Sequence, residues 1–394
     1  MPILCRKRHA VIWPRDDSKL ERVRAAMAEE NLDALVVRAP DNVLYLTNFW
    51  GMKGYDAVVF PREGEPVLIA LEPSAADAAR HAWTDDVRLF PGYDERDPRP
   101  PPLRALELAV EAARPYGRVG LELSLGTQAA DRMVGEPTTY TKAWFDAFPS
   151  ALDATPLLAR VRAIKTEQEI VRIRLANELA AEAMEAVRAE LRPGMTESEA
   201  AAIWQGHVHG QGSGWRDGAV ELAFGFSLVW SGPAIRTFTA TGSRPVCEHE
   251  PTLFEIWVCA DGYWADHTKN LCPGELDPRY DQLLDQLLEV YRNAIDGCRP
   301  GASLPELDRS VREGIAAVGF PGQPSHPVCH GVGARAHEPP YAHQAGTGTI
   351  EAGMVLAIEP GIYWPEGGGL RLEDNFLITP EGPEQLSPFP DDFR

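Results

Sequence analysis

The stretch LFEIWVCADGYWADHTKN, residues 253–270, constrains the fold more tightly than any other part of the chain. Asp261-Gly262 is a two-residue hairpin signal between two β-rich apolar runs. A turn there puts Ala260 opposite Tyr263 and Trp257 opposite Asp266. Glu255 lies two residues from Trp257 and so shares its face, which makes Glu255 and Asp266 diagonal neighbours. Carboxylates on the face of an apolar strand are costly to bury. Two on one face repel unless one keeps its proton or a cation sits between them. Asp261, the first residue of the turn, reads as turn chemistry.

Three later segments repeat the pattern. HPVCHGVGARAHEPPY carries His326, His330 and His337, with Gly331 and Gly333 flanking the middle histidine as if the backbone passes close to something. GMVLAIEPGIYW places Glu359 at the end of an apolar strand. LRLEDNFLIT reads as one alternating strand with Arg371 and Glu373 on one face and Asp374 on the other. Four β segments thus carry an acid or histidine where a half-buried face is expected. Glu255, Asp266, His330, Glu359 and Glu373 together offer one imidazole and four carboxylates. That donor set suits Mn²⁺, Fe²⁺, Co²⁺ or Zn²⁺ in a two-metal site better than a thiolate zinc site. Two such ions would lower the pKa of a bridging water and polarise a carbonyl.

With 394 residues, two domains are expected. Residues 1–158 alternate helical and strand patterns, and AVVFP and PVLIAL flank a hairpin signal; this is an α/β domain. Residues 159–394 open with a long helix, followed after Pro193-Gly194 by a capping box from Thr196 to Glu199. They continue as an α+β domain with two further helices, YDQLLDQLLEVYRNAID and LPELDRSVREGIAAVG. WPEGGG reads as a loop. The formal net charge of −20 argues against nucleic acid or an anionic membrane surface as partner. The six cysteines are scattered without a CxxC pair, no signal-type apolar segment opens the chain, and no run approaches a membrane span. A reduced, cytoplasmic protein with buried free thiols is expected.

In order and flanks, NVLYLTNF, RAIKTEQEIVRIRLAN, SGP (231–233), DGYWADHTK, HGVGARAHEPP, GMVLAIEPGIY and LRLEDNFLIT resemble the pita-bread metallopeptidases, the group of prolidase, aminopeptidase P and creatinase. The resemblance covers nearly the whole chain. It implies a pita-bread catalytic domain after a creatinase-type N-terminal domain, and hydrolysis of an Xaa-Pro dipeptide or other small amide by a metal-bridged water. Asp266, His330, Glu359 and Glu373 match metal ligands, and Glu359 matches the glutamate that accepts the proton of that water. His337 matches the histidine that steadies the substrate or tetrahedral intermediate, and Arg371 the arginine near the last ligand; the resemblance implies both as substrate-binding residues. A homodimer is also implied, with residues near Trp50 and Tyr55 as candidate pocket wall. Two departures stand out. The first ligand is normally Asp, yet here it is Glu255, longer by about 1.5 Å. After SGP the family usually has a histidine, where this chain reads AIRTFTA, with Arg236, Thr237 and Thr239. An alternative follows: a creatinase- or ectoine-hydrolase-like relative repurposed for C–N cleavage or rearrangement of a small amino-acid-derived metabolite, with Glu255 as nucleophile or base. A non-catalytic binding protein is disfavoured by the near-complete ligand set.

Overall fold

The computed structural model describes residues 13–123, 138–212, 214–236, 239–365 and 367–394. The chain forms two compact units that divide between Arg162 and Ala163. The boundary expected at 158/159 falls inside a helix.

The N-terminal unit contains α1 (Asp17–Glu29), β1 (Ala34–Val37), α2 (Pro40–Thr47), β2 (Ala57–Pro61), β3 (Val67–Leu71), α3 (Ala75–His81), β4 (Val87–Phe90), α4 (Pro101–Ala113), β5 (Val119–Leu121), α5 (Thr138–Ala147), β6 (Leu152–Asp153) and α6 (Thr155–Ala163). The strands form one mixed sheet in the order β4-β3-β2-β1-β5-β6. The antiparallel β2–β3 pair is the expected hairpin. The central strands β1, β2 and β3 are apolar on both faces because both are covered. Leu35, Val37, Val58, Phe60 and Leu68 pack with Leu20, Val23 and Met27 of α1. Their neighbours Ala34, Val36, Ala57, Val59 and Ile69 pack with Ala105 and Ala109 of α4. Leu157 and Leu158 bind α6 to the first of these cores, and Tyr55 is half-buried against the second.

The second unit contains α7 (Glu167–Glu190), α8 (Glu197–Gln211), α9 (Trp215–Gly218), β7 (Ala223–Ser231), β8 (Thr252–Ala260), β9 (Tyr263–Leu271), α10 (Pro278–Gly297), α11 (Leu304–Ala317), β10 (Cys329–Gly331), β11 (Glu338–Tyr341), β12 (Val355–Ile358), β13 (Gly361–Trp364), β14 (Gly368–Arg371), β15 (Asp374–Thr379) and β16 (Gly382–Gln385). The capping box of Thr196 and Glu199 opens α8, and an equivalent one of Thr166 and Glu169 opens α7. Of WPEGGG, expected as a loop, Trp364 closes β13 and Gly368 and Gly369 open β14, its antiparallel partner.

Strand periodicity decides where the acids go. In the sheet β7-β8-β9, Phe254, Ile256 and Val258 of β8 pack under Leu179, Met184 and Trp204 of α7 and α8. The intervening Glu255 and Trp257 therefore face away from the helices. In the sheet β11-β10-β12-β15-β16, Leu356, Ile358, Phe376 and Ile378 pack under Leu284, Leu287, Tyr291 and Val311 of α10 and α11. His330, Ala357 and Asn375 lie in register across β10, β12 and β15 on the opposite face. The two helix-free faces meet through a bridge between Thr268 and Glu373. One strand through Glu373 is not what forms: β14 ends at Arg371 and β15 begins at Asp374. Arg371 pairs with β13 while Asp374 pairs with β12, so the chain changes sheets at Leu372-Glu373.

Candidate metal centre

The hairpin register is as the turn dictates, with Ala260 opposite Tyr263 and Trp257 opposite Asp266. Asp261 and Gly262 both have positive φ, 47° and 84°, which a two-residue turn of this hand requires. Asp261 does more than turn the chain: its Oδ1 accepts from the backbone N–H groups of Glu221 and Leu222, at 3.0 and 2.8 Å.

Asp266, His330, Glu359 and Glu373 converge and are all buried. His330 Nε2 lies 3.6 Å from Asp266 Oδ2, 3.4 Å from Glu359 Oε1 and 3.9 Å from Glu373 Oε1. His337 Nε2 lies 3.4 Å from the same Asp266 oxygen, with its side chain 41% exposed. Two sets result, Asp266–His330–His337 and His330–Glu359–Glu373, the donor atoms of each within 4.8 Å of one another. His330 Nδ1 is 3.0 Å from the Gly331 carbonyl, which can only accept. Nδ1 therefore carries the proton, and Nε2 turns a lone pair toward the acids. Gly331 is needed here, since a Cβ on it would lie 2.6 Å from the Pro339 carbonyl oxygen. Lys165 fixes the next stretch through a buried 2.8 Å ion pair with Glu338.

Asp266 Oδ2 and His330 Nε2 are buried and make no hydrogen bond. Burial raises the Asp266 carboxyl above its usual range, and repulsion from Glu373, Glu359 and Glu255 adds to the effect. Burial likewise raises Glu359 to about 7, and burial plus repulsion from Glu359 raises Glu373 to about 8. A lone-pair nitrogen among three repelling buried carboxylates fits a divalent cation by donor chemistry and by charge.

Glu255 belongs to neither donor set. Its Oε2 lies 2.7 Å from Arg371 Nη2. Burial opposes the charge on Arg371, but Glu255, Tyr363, Glu373 and Glu359 together hold its pKa above the ordinary value. Arg371 Nε donates to Thr268 Oγ1 at 2.6 Å, and Thr268 donates in turn to Glu373 Oε2 at 2.6 Å. Arg371 Nη1 donates to the Tyr363 hydroxyl at 3.3 Å. That hydroxyl is 3.0 Å from His326 Nε2, whose other nitrogen lies 2.6 Å from the Pro327 carbonyl and 3.2 Å from Glu359 Oε2. Burial, with Arg371 nearby, lowers the His326 pKa to about 4, so this imidazole is neutral. Arg371, expected at the substrate, is thus a buried hub beneath the ligands.

Sequence reasoning gave no role to His326, Tyr363, Thr268 or Asn375. Thr268 was legible as the next residue on Asp266's face, and Tyr363 as a polar group just beyond Glu359. Arg236 is exposed, Thr239 accepts from the Trp230 indole through its carbonyl, and Thr237 lies outside the described residues. Cys247, Cys259, Cys272, Cys298 and Cys329 are free thiols, and Cys5 lies outside the described residues.

Residues 171–380 match the model of metallopeptidase family M24, and residues 19–164 that of the creatinase/prolidase N-terminal domain. The chain belongs to metallopeptidase family M24. It is a metallohydrolase, as the motif order implied, with a creatinase-type N-terminal domain and a pita-bread catalytic domain. A putative dipeptidase, YkvY, of Bacillus subtilis is 26% identical over 95% of this chain and 99% of its own. The prolidase of Pyrococcus horikoshii has a similar fold, with a TM-score of 0.78 over 96% of this chain and 100% of that one, at 22% identity. The Xaa-Pro dipeptidase of Bacillus anthracis also has a TM-score of 0.78, over 96% and 99%, at 21% identity. Among the described residues of this M24 enzyme, no helix is long and apolar enough to cross a membrane.

Proposed function

We propose that this chain hydrolyses an Xaa-Pro dipeptide or a similarly small amide with two divalent cations, Mn²⁺ in first place and Fe²⁺, Co²⁺ or Zn²⁺ as alternatives. The ligands are Asp266, His330, Glu359 and Glu373, with Glu255 added if its carboxylate leaves Arg371. The observation that carries this reading is the pair of buried, unbonded atoms Asp266 Oδ2 and His330 Nε2 facing one space lined by acids. When bound, the cations supply a water of lowered pKa and polarise the scissile carbonyl. Glu359, just past the end of β12 and 3.4 Å from His330 Nε2, would be the base that takes up that water's proton and returns it to the leaving nitrogen. His337, the partly exposed member of the cluster, is placed to donate to the developing oxyanion. Arg371 holds Glu255, and Thr268 holds Glu373, in fixed orientation. The working form is a cytoplasmic homodimer. About two metal ions per chain and cleavage of Xaa-Pro dipeptides that stops on chelation are expected. Full turnover in metal-free protein would overturn the reading.

One observation favours a second reading: Glu255 is engaged with Arg371 and stands outside both donor sets. In a relative repurposed for C–N cleavage of an amino-acid-derived metabolite, Glu255 acts as base or nucleophile. Glu255→Asp distinguishes the two. The peptidase keeps its metal and retains or gains dipeptide cleavage; the repurposed enzyme loses its native reaction.

A further inference from the structure

The site has an aromatic side that no ligand accounts for. Trp257 stands directly opposite Asp266 in the hairpin and shares its face. Its ring centroid is 6.1 Å from that of His337, which itself lies 4.4 Å from His330. On its other side Trp257 stacks on Phe226, its cross-strand partner on β7, at 5.5 Å and 21°. The ring is therefore held in one position between a strand neighbour and the most exposed histidine of the centre. Trp257 is only 4% exposed, yet its indole N–H has no hydrogen-bond partner. A buried donor left unmade is expensive; the indoles of Trp144, Trp204 and Trp264 are likewise unbonded, and that of Trp257 is set apart by its ring lying 6.1 Å from His337 of the centre. Phe226 remains half-exposed beside it, which leaves apolar surface continuous with the indole.

We infer that Trp257 is a specificity-determining residue. Its ring and Phe226 form a rigid wall against which the substrate's small ring or short apolar side chain packs, and its buried indole N–H binds a substrate oxygen once the partly exposed His337 beside it swings aside. This rests on the peptidase reading above. The wall admits compact, ring-bearing dipeptides and disfavours bulky ones, because Trp257, stacked on Phe226, cannot retreat.

Two variants test it. Trp257→Phe keeps a ring on Phe226 and removes the N–H: KM for Ala-Pro rises about tenfold while kcat stays within about twofold. Trp257→Ala removes the wall, and the preference for Ala-Pro over Phe-Pro falls by about tenfold or inverts. A readout without turnover uses the metal-loaded protein labelled with ¹⁵N at its indoles. The Trp257 resonance, identified by its absence in Trp257→Phe, shifts on addition of a reduced-amide Ala-Pro analogue. Unchanged KM and selectivity in both variants, with wild-type metal content and circular dichroism, overturns the inference. Should wild-type protein cleave no dipeptide, the peptidase reading fails. The indole signal then decides separately: a shift with the analogue sustains the Trp257 contact, and no shift overturns it.

Discussion

Asn375 places Asp266, and its removal has a cost that can be worked from the structure. The backbone N–H and C=O of Asp266 point away from β8 toward β15, where the Asn375 amide meets both. Asp266 N–H donates to Asn375 Oδ1 at 3.0 Å, and Asn375 Nδ2 donates to the Asp266 carbonyl at 2.8 Å. Asn375 is fully buried. One side chain thus stands in for a ladder pair between two sheets that are also joined nearby by the bridge from Thr268 to Glu373 and by the buried ion pair of Lys269 with Asp374. Asn375→Ala leaves a buried donor and a buried acceptor unmade, at about 1–3 kcal/mol each. A water entering the small cavity recovers part, so a net loss of about 3 kcal/mol is expected. For a unit of this size that is a fall in Tm of roughly 6–12 °C. Asp266 also loses its fixed position relative to Glu373, and metal affinity falls by about 10–100-fold. Calorimetry of metal-free protein and titration with Mn²⁺ measure the two effects. Asn375→Asp is a control that keeps the acceptor for the Asp266 N–H but sets an acid against its carbonyl; it loses at least as much. A Tm within about 1 °C of wild type and unchanged Mn²⁺ affinity in Asn375→Ala would refute the reasoning.

Metal removal and pH are linked. Glu359 and Glu373 are raised from 4.5 to about 7 and about 8 without a cation. Between pH 4.5 and 8 the folded metal-free protein holds protons that the unfolded chain has released, so its stability falls as pH rises through that window. Chelated protein should show a declining Tm from pH 5 to 8. Added Mn²⁺ should remove the decline and release protons, with affinity increasing over the same range. Tyr363→Phe should lower stability by about 1–2 kcal/mol, because His326 Nε2 and Arg371 Nη1 both lose the hydroxyl; denaturant midpoints measure it.

The hairpin was legible because its turn chemistry and its register are local. The N-terminal sheet was legible as strands but not as two cores, since continuous apolar runs do not reveal that alternate residues serve opposite faces. Glu359 and His330 could be picked out because each follows or occupies a short apolar strand. The partners were hidden. Arg371 reaches Glu255 only because β14 pairs with β13 and hands the chain to another sheet at Leu372-Glu373. A continuous strand through 370–379 has no place for that change. Asn375 reads in sequence as an ordinary alternating position. Its role comes from a meeting of sheets more than a hundred residues apart, which no local pattern encodes.

That handover also bears on why residue 255 is a glutamate. With Arg371 Nη2 at 2.7 Å from Glu255 Oε2, shortening the side chain by about 1.5 Å would open the contact to roughly 4 Å. The guanidinium is buried, and its next carboxylate, Glu373, is 3.8 Å away and already takes a hydrogen bond from Thr268. The extra methylene therefore serves Arg371 in the metal-free arrangement. Glu255→Gln tests whether that is its whole role, because it keeps the length and removes the charge. Breaking a buried ion pair costs about 3–5 kcal/mol, here at the lower end because Glu373 remains. If Glu255 serves Arg371 alone, the variant loses that stability and keeps two metal ions per chain. If it also ligates, one ion is lost together with the stability. Wild-type stability in Glu255→Gln would show that the Arg371 pair contributes nothing, and the length of residue 255 would then have to be explained by the reaction.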